Sequence, residues 1–409
     1  MVREAAPARL LWDQGGLWSL MALEACRGLG LAIAPISAAS LAAGGLEGAR
    51  LLLVPGGWPA RKLKALGQAG GQAIREFVSG GGIYLGFCGG AGLALGVEDG
   101  LGLLDLGRAR GQERLPGLSG PLWVGPGPQG HDHPLWQGLT RPVSLPVWWP
   151  AQFAQPQAAG LEVIATYGPP APGLCTADLR VDQVDPADWP AHEAAYGQRL
   201  DPACLAGRPA MLQARRGRGL VFLSYPHLDT PGEAAAGQAL KNLWLAWLGP
   251  GASAPPADPA AERPPHPLAQ ALAGQAQALW RQGLDLGLWR PRHPQMPLWR
   301  RGARGLEFWG LYRLSQAVAR ATEPGAAHQA LLAELAAVLG PVWQEGPRVL
   351  AAQAARLAGQ EPSPGAAGLE RAWFPAPRQL AGPLARGLAL LELALLRLEG
   401  QPGVWRESG

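Results

Sequence analysis

Short apolar runs closed by Gly or Pro constrain this chain most. Leu51–Val54 (LLLV) ends in Pro55-Gly56-Gly57, Ile83–Gly86 (IYLG) runs into Cys88, and Gly219–Tyr225 (GLVFLSY) ends at Pro226. Arg9–Trp12 (RLLW) precedes Gly15-Gly16, and residues 31–36 (LAIAPI) are strand-like. Runs this short and apolar leave no polar face, so such strands are covered on both sides. Between them lie segments with helical spacing: residues 17–29, with Leu17, Leu20, Met21 and Leu23, then 69–78 and 232–248. Strands alternating with helices imply an α/β fold with a mostly parallel sheet. From about 107 to 218 the pattern gives way to Pro, Gly and Trp. Strand candidates at 122–124, 162–167 and 210–214 read there as antiparallel edge strands among loops.

Residues 249–267 (GPGASAPPADPAAERPPHP) form a Pro/Ala linker, beyond which only helical signals occur. The expected organisation is an α/β domain over 1–250, a linker over 251–267 and an all-α helical domain over 268–409. Its helices are expected at 268–284, 305–321, 326–339, 341–358 and 377–399. Charge separates the same two parts. Residues 262–409 carry 16 Arg against 11 acids, a net of +5, while residues 1–261 carry a net of −1. A hydrophobic content of 48% excludes wholesale disorder, and 58 Gly with 41 Pro show no collagen period. The four cysteines, at 26, 88, 175 and 204, have neither CxxC spacing nor the density of a disulfide scaffold. The opening MVREAAPARLLWD lacks an apolar signal core, and no long uncharged apolar run follows. A cytoplasmic protein without a membrane span is the expectation.

The chemistry concentrates at Gly86-Phe87-Cys88-Gly89-Gly90, where a strand turns through G-x-C-x-G into a helix. A nucleophile on so sharp a turn projects clear of the sheet, and the flanking glycines let backbone pack on backbone. The bland alternative is a buried free cysteine. His227 follows a strand at its C-terminal end, where α/β sheets present their ligands, and Asp229 is placed to orient it. Gly56 and Gly57 follow the LLLV strand and could aim backbone N–H groups at an oxyanion, with Gly89 beside them. An ordinary turn is the alternative for that pair.

These residues resemble the class I glutamine amidotransferase-like superfamily, and more closely the biotin–protein ligase N-terminal domain family. The resemblance rests on LLLVPGGW (51–58), GGGIYLGFCGGAGLAL (80–95), HPLWQGL (133–139), VWWPAQF (147–153) and GRGLVFLSYPHLD (217–229). It implies a doubly wound, flavodoxin-like sheet and a Cys-His-acid triad of Cys88, His227 and Asp229. It also implies an aromatic pocket mouth at Trp148 and Trp149, for which simple packing is the alternative. Two departures stand out. The superfamily usually has Gln four residues after the nucleophile, where this chain has Gly92, and Glu where it has Asp229. No GRGRxGR-like biotinyl-adenylate loop occurs.

The expected function is therefore a cysteine-dependent amidohydrolase or amidotransferase-like activity on an unidentified small-molecule or peptide amide, through a thioester. The alternative is a non-catalytic amidotransferase-like module whose helical tail holds a protein partner. No cofactor, metal or nucleic acid is expected. His131-Asp132-His133 is too cramped for one ion, and Cys175 and Cys204 read as incidental. Leu-Trp-Arg recurs at 279–281, 288–290 and 298–300. Packing tryptophans beside solvated arginines is the favoured reading of that strip.

Overall fold

A computed structural model describes residues 6–96, 100–154, 160–253, 266–322, 328–376 and 379–399. Most of the expected linker, 254–265, lies outside the described residues. The chain divides into two units, residues 1–257 and 258–409.

The first unit is built on one mixed sheet. Its parallel half comprises β1 (Ala8–Leu11), β2 (Ile33–Ile36), β3 (Leu51–Val54) and β4 (Ile83–Phe87). The antiparallel part follows in the chain: β5 (Leu118–Pro126), β6 (Val143–Trp148), β7 (Leu161–Pro170), β8 (Cys175–Thr176), β9 (Leu179–Arg180) and β10 (Pro209–Arg216). Strand β11 (Gly219–Ser224) then returns to the parallel half beside β4. The order is β2-β1-β3-β4-β11-β10-β7-β5-β8-β9, with β6 on β5. The first strands thus run 2-1-3-4, the doubly wound order with a switch point between β1 and β3. The fold class is the one expected, and residues 107–218 supply the antiparallel extension.

Burial explains the strand sequences. All four residues of β3 are buried, and Tyr84, Leu85 and Phe87 of β4 and Val221, Phe222 and Leu223 of β11 are fully so. The helices of this unit are α1 (Leu17–Gly28), α2 (Ala38–Ala42), α3 (Pro59–Ser79), α4 (Gly89–Ala94), α5 (Trp189–Tyr196) and α6 (Ala234–Leu248). Helix α3 kinks at Gly67, with a φ of 59°, and buries Leu66 before the kink and Ile74 and Val78 after it.

The second unit is helical, with α7 (Pro267–Asp285), α8 (Gly305–Ala321), α9 (Gln329–Leu357), α10 (Pro364–Trp373) and α11 (Gly382–Glu399). It differs from expectation in three places, one being α10, which falls where no helix was expected. A two-stranded antiparallel hairpin, β12 (Trp289–His293) and β13 (Met296–Trp299), interrupts the all-α pattern. Its three prolines disguise it, because proline normally argues against a strand and is tolerated on edges, which is all a two-stranded sheet has. Helix α9 runs unbroken where two helices meeting near Gly340 were expected. It contains Pro341 and Pro347. Each proline follows a glycine, Gly340 or Gly346, so the clash with a preceding Cβ that normally ends a helix is missing. The ion pair between Arg356 and Glu370 ties α9 to α10.

Candidate active site

Three neighbouring strand ends converge. Val54 of β3 pairs with Gly86 of β4, and Phe87 of β4 pairs with Ser224 of β11. The loops leaving them carry Gly56-Gly57, Cys88 and His227. Cys88 sits on the turn between β4 and α4 with a positive φ of 47°, and its amide donates to the Ser224 carbonyl at 2.8 Å. Positive φ is unfavourable for a residue with a Cβ and is held here by its surroundings.

The glycines explain how the turn fits. A Cβ on Gly89 would lie 1.8 Å from the Gly57 carbonyl oxygen, and one on Gly90 would lie 1.9 Å from that of Val54. Helix α4 therefore rests directly on the backbone of β3 and its loop. Tyr84 fixes the contact from below, its hydroxyl donating to the Gly90 carbonyl at 2.7 Å. Gly57, at φ 110°, needs its glycine for conformation as well.

His227 and Asp229 are both buried, and Nδ1 of His227 lies 2.8 Å from Oδ1 of Asp229. The His227 amide donates to the Pro146 carbonyl of β6 at 2.8 Å. The Trp18 ring of α1 stacks on the imidazole, with centroids 5.0 Å apart and planes 25° off parallel. A Cβ on Gly56 would come within 3.0 Å of His227 Cε1. Nε2 is buried on the Cys88 side, and Asp229 Oδ2 is buried without a hydrogen bond. The Cys88 thiol lies 3.8 Å from the Trp148 carbonyl, and Cys88 also acts on the imidazole through a hydrogen bond and its charge.

Burial alone would lower the pKa of His227, but the Asp229 carboxylate outweighs burial and, with a smaller contribution from Cys88, the imidazole is pushed up to about 10. A histidine raised above its unfolded value of about 6.5 stabilises the fold fully below that pH. The contribution is then lost as pH rises through the folded value. Tm is therefore expected to fall between about pH 7 and 10. It should fall less over that window in His227→Gln, as differential scanning calorimetry across the pH series would show.

Trp148 is buried, its Nε1 donating to Thr230 Oγ1 at 3.2 Å, as the packing alternative has it, and its carbonyl faces the cysteine. Trp149 is half-buried with a φ of 49° and donates its amide to the Leu118 carbonyl at 2.7 Å. Three residues near the site carried no signal in the sequence beyond their type. Trp18 is one. Lys62 is fully buried on α3, its Nζ 3.4 Å from the Asp13 carbonyl and its Cε 3.3 Å from where Gly57 would carry a Cβ. Arg108 brings Nη1 within 3.8 Å of the Cβ position of Gly92. Lysine rarity was the one available hint for Lys62, since the chain has only Lys62, Lys64 and Lys241.

His133 is committed to structure. Its Nδ1 accepts from the Leu135 amide and its Nε2 meets Gln213. Among the described residues no group of His, Cys, Asp and Glu could hold a metal ion. All four cysteines are free.

The family resemblance read from the sequence is borne out over part of the chain. Residues 20–96 match the biotin-protein ligase N-terminal family. The match takes in Gly56, Gly57, Cys88 and Gly89 and stops before His227 and Asp229. No curated protein matches the chain. Among solved structures it is similar to a GMP synthase-type protein from Thermoplasma acidophilum, at 12% identity. That likeness covers 58% of this chain and 92% of the other, with a TM-score of 0.38. A ThuA-like protein from Bacteroides uniformis is similar at 12% identity over 60% and 93% of the two chains, TM-score 0.36. A β-galactosidase from Bacillus circulans sp. alkalophilus shares 15% identity over 60% of this chain and 32% of its own, TM-score 0.36.

Proposed function

We propose that the first unit is a cysteine hydrolase or acyltransferase of the amidotransferase-like kind. The observation that carries this reading is the buried His227–Asp229 pair at the strand end beside Cys88, which acts on the imidazole as a hydrogen-bond and charge partner. The thiolate of Cys88 attacks a carbonyl carbon, and the C–S bond forms as the C–N bond breaks. The departing amine takes its proton from Nε2 of the raised His227 imidazolium. Neutral His227 then removes a proton from water as it attacks the thioester, releasing the acid and the Cys88 thiolate. Backbone amides at Gly57 and Gly89, packed against each other, are the candidate oxyanion donors. Rotation of Cys88 away from the Trp148 carbonyl brings sulfur toward Nε2; catalytic hydrogen bonds are often loose before substrate binds.

The thiol's bond to the Trp148 carbonyl favours a second reading, a binding module that retains the pocket without turnover. Iodoacetamide labelling mapped by peptide mass spectrometry separates the two. Cys26 and Cys175 are buried, and burial raises the pKa of the half-buried Cys204 thiol. Cys88 is expected to label at least about tenfold faster than Cys204, and Cys88→Ala should abolish the fast phase. Equal rates at both thiols would leave only the binding module.

A further inference from the structure

The second unit has a cavity of its own, about 550 Å³, between α7, the β12–β13 hairpin and α8. One wall is aromatic. Trp280 and Trp309 have ring centroids 4.9 Å apart, and Trp309 and Tyr312 5.3 Å. Trp289 stacks behind Trp280 at 4.6 Å with planes 9° apart, its Nε1 donating to the Trp280 carbonyl at 3.1 Å. The facing wall is the proline-rich hairpin, Pro291, Pro294 and Pro297. Its turn is pinned to α8: Trp309 Nε1 donates to the Gln295 carbonyl at 2.9 Å, and Arg313 donates to the Gln295 side chain at 2.6 Å while lying over the Trp309 ring. Both walls are thus fixed in place before any ligand arrives.

The remaining lining is cationic or neutral. Arg281, Arg292 and His293 contribute to it, and no lining residue is acidic. A fixed, concave, aromatic cavity of this size with a few convergent polar groups suits one small molecule rather than a helix or strand of a partner. Flat apolar walls favour a ring, and guanidinium groups favour a carboxylate or phosphate.

We propose that this cavity binds a small organic anion built on one flat aromatic ring. The ring lies between the tryptophan–tyrosine wall and the prolines, and the carboxylate or phosphate meets Arg281 and Arg292. The two anion sources share this chemistry, and the test distinguishes them.

Isothermal titration calorimetry on the full chain would use indole-3-acetate and adenosine monophosphate, each against its uncharged counterpart, indole or adenosine. At least one anion is expected to bind with a Kd below about 1 mM, and its neutral counterpart at least about tenfold more weakly. Arg281→Glu reverses charge at an exposed position, and Tyr312→Ala removes a ring without altering charge. Each is expected to weaken the anion by about tenfold or more, while Cys88→Ala leaves it unchanged. Absence of binding by both anions, equal affinity for charged and neutral forms, or a loss in Cys88→Ala would overturn the proposal. None of these outcomes bears on the chemistry assigned to the first unit.

Discussion

Gly90→Ala is expected to destabilise the protein by about 3 kcal/mol, toward the upper end for overpacking. The new methyl would sit 1.9 Å from the Val54 carbonyl oxygen and 3.0 Å from the Val54 Cγ1 atom. Val54 belongs to a fully buried central strand, so neither backbone can retreat without disturbing the sheet. Gly89→Ala, at 1.8 Å from the Gly57 carbonyl, should behave alike and also displace the oxyanion loop. Gly28→Ala is the control. It meets nothing within 4 Å at the exposed end of α1 and should be neutral or raise stability by up to about 1 kcal/mol. Urea unfolding followed by circular dichroism compares them. An unchanged midpoint for Gly90→Ala would refute the close seating of α4 on β3.

His227→Ala should cost about 3–5 kcal/mol, because it strands a charged carboxylate in the interior. Asp229 is 1% exposed and its Oδ2 already lacks a hydrogen bond, so water cannot easily replace the imidazole. Asp229→Leu leaves the buried imidazole instead and should lose a similar amount. The double variant His227→Ala/Asp229→Leu is expected to be more stable than either single one, since no unpaired charge remains. Denaturant midpoints of the four proteins form the cycle. A double variant less stable than both singles would mean that shape, including the Trp18 stack, outweighs charge at this site.

Much of the site could be read from local spacing. Strand ends at Val54, Phe87 and Ser224 are written in runs of apolar residues, and the turn at Cys88 is written in its glycines, because both features are short-range. What could not be read depends on distant chain segments meeting. Trp18 reaches His227 across more than two hundred residues, and nothing in LWSLMALEA marks it as the ring beneath an imidazole. Lys62 and Arg108 become informative only through what they lie against. Trp148 and Trp149 were legible as aromatic but not in orientation, since a backbone carbonyl leaves no trace in a side-chain pattern. In the second unit, proline concealed both the hairpin and the continuity of α9, for opposite reasons: edge strands tolerate it, and a preceding glycine makes room for it.

Strand β6 lies off the main path of the sheet, paired with β5, and so looks expendable. Yet its Pro146 carbonyl holds the His227 amide, and its Trp148 carbonyl faces the cysteine. The parallel strands form one jaw of the site and this outlying strand forms the other. A version of the protein trimmed to its parallel half would keep the thiol and the imidazole but lose the surface that sets the distance between them.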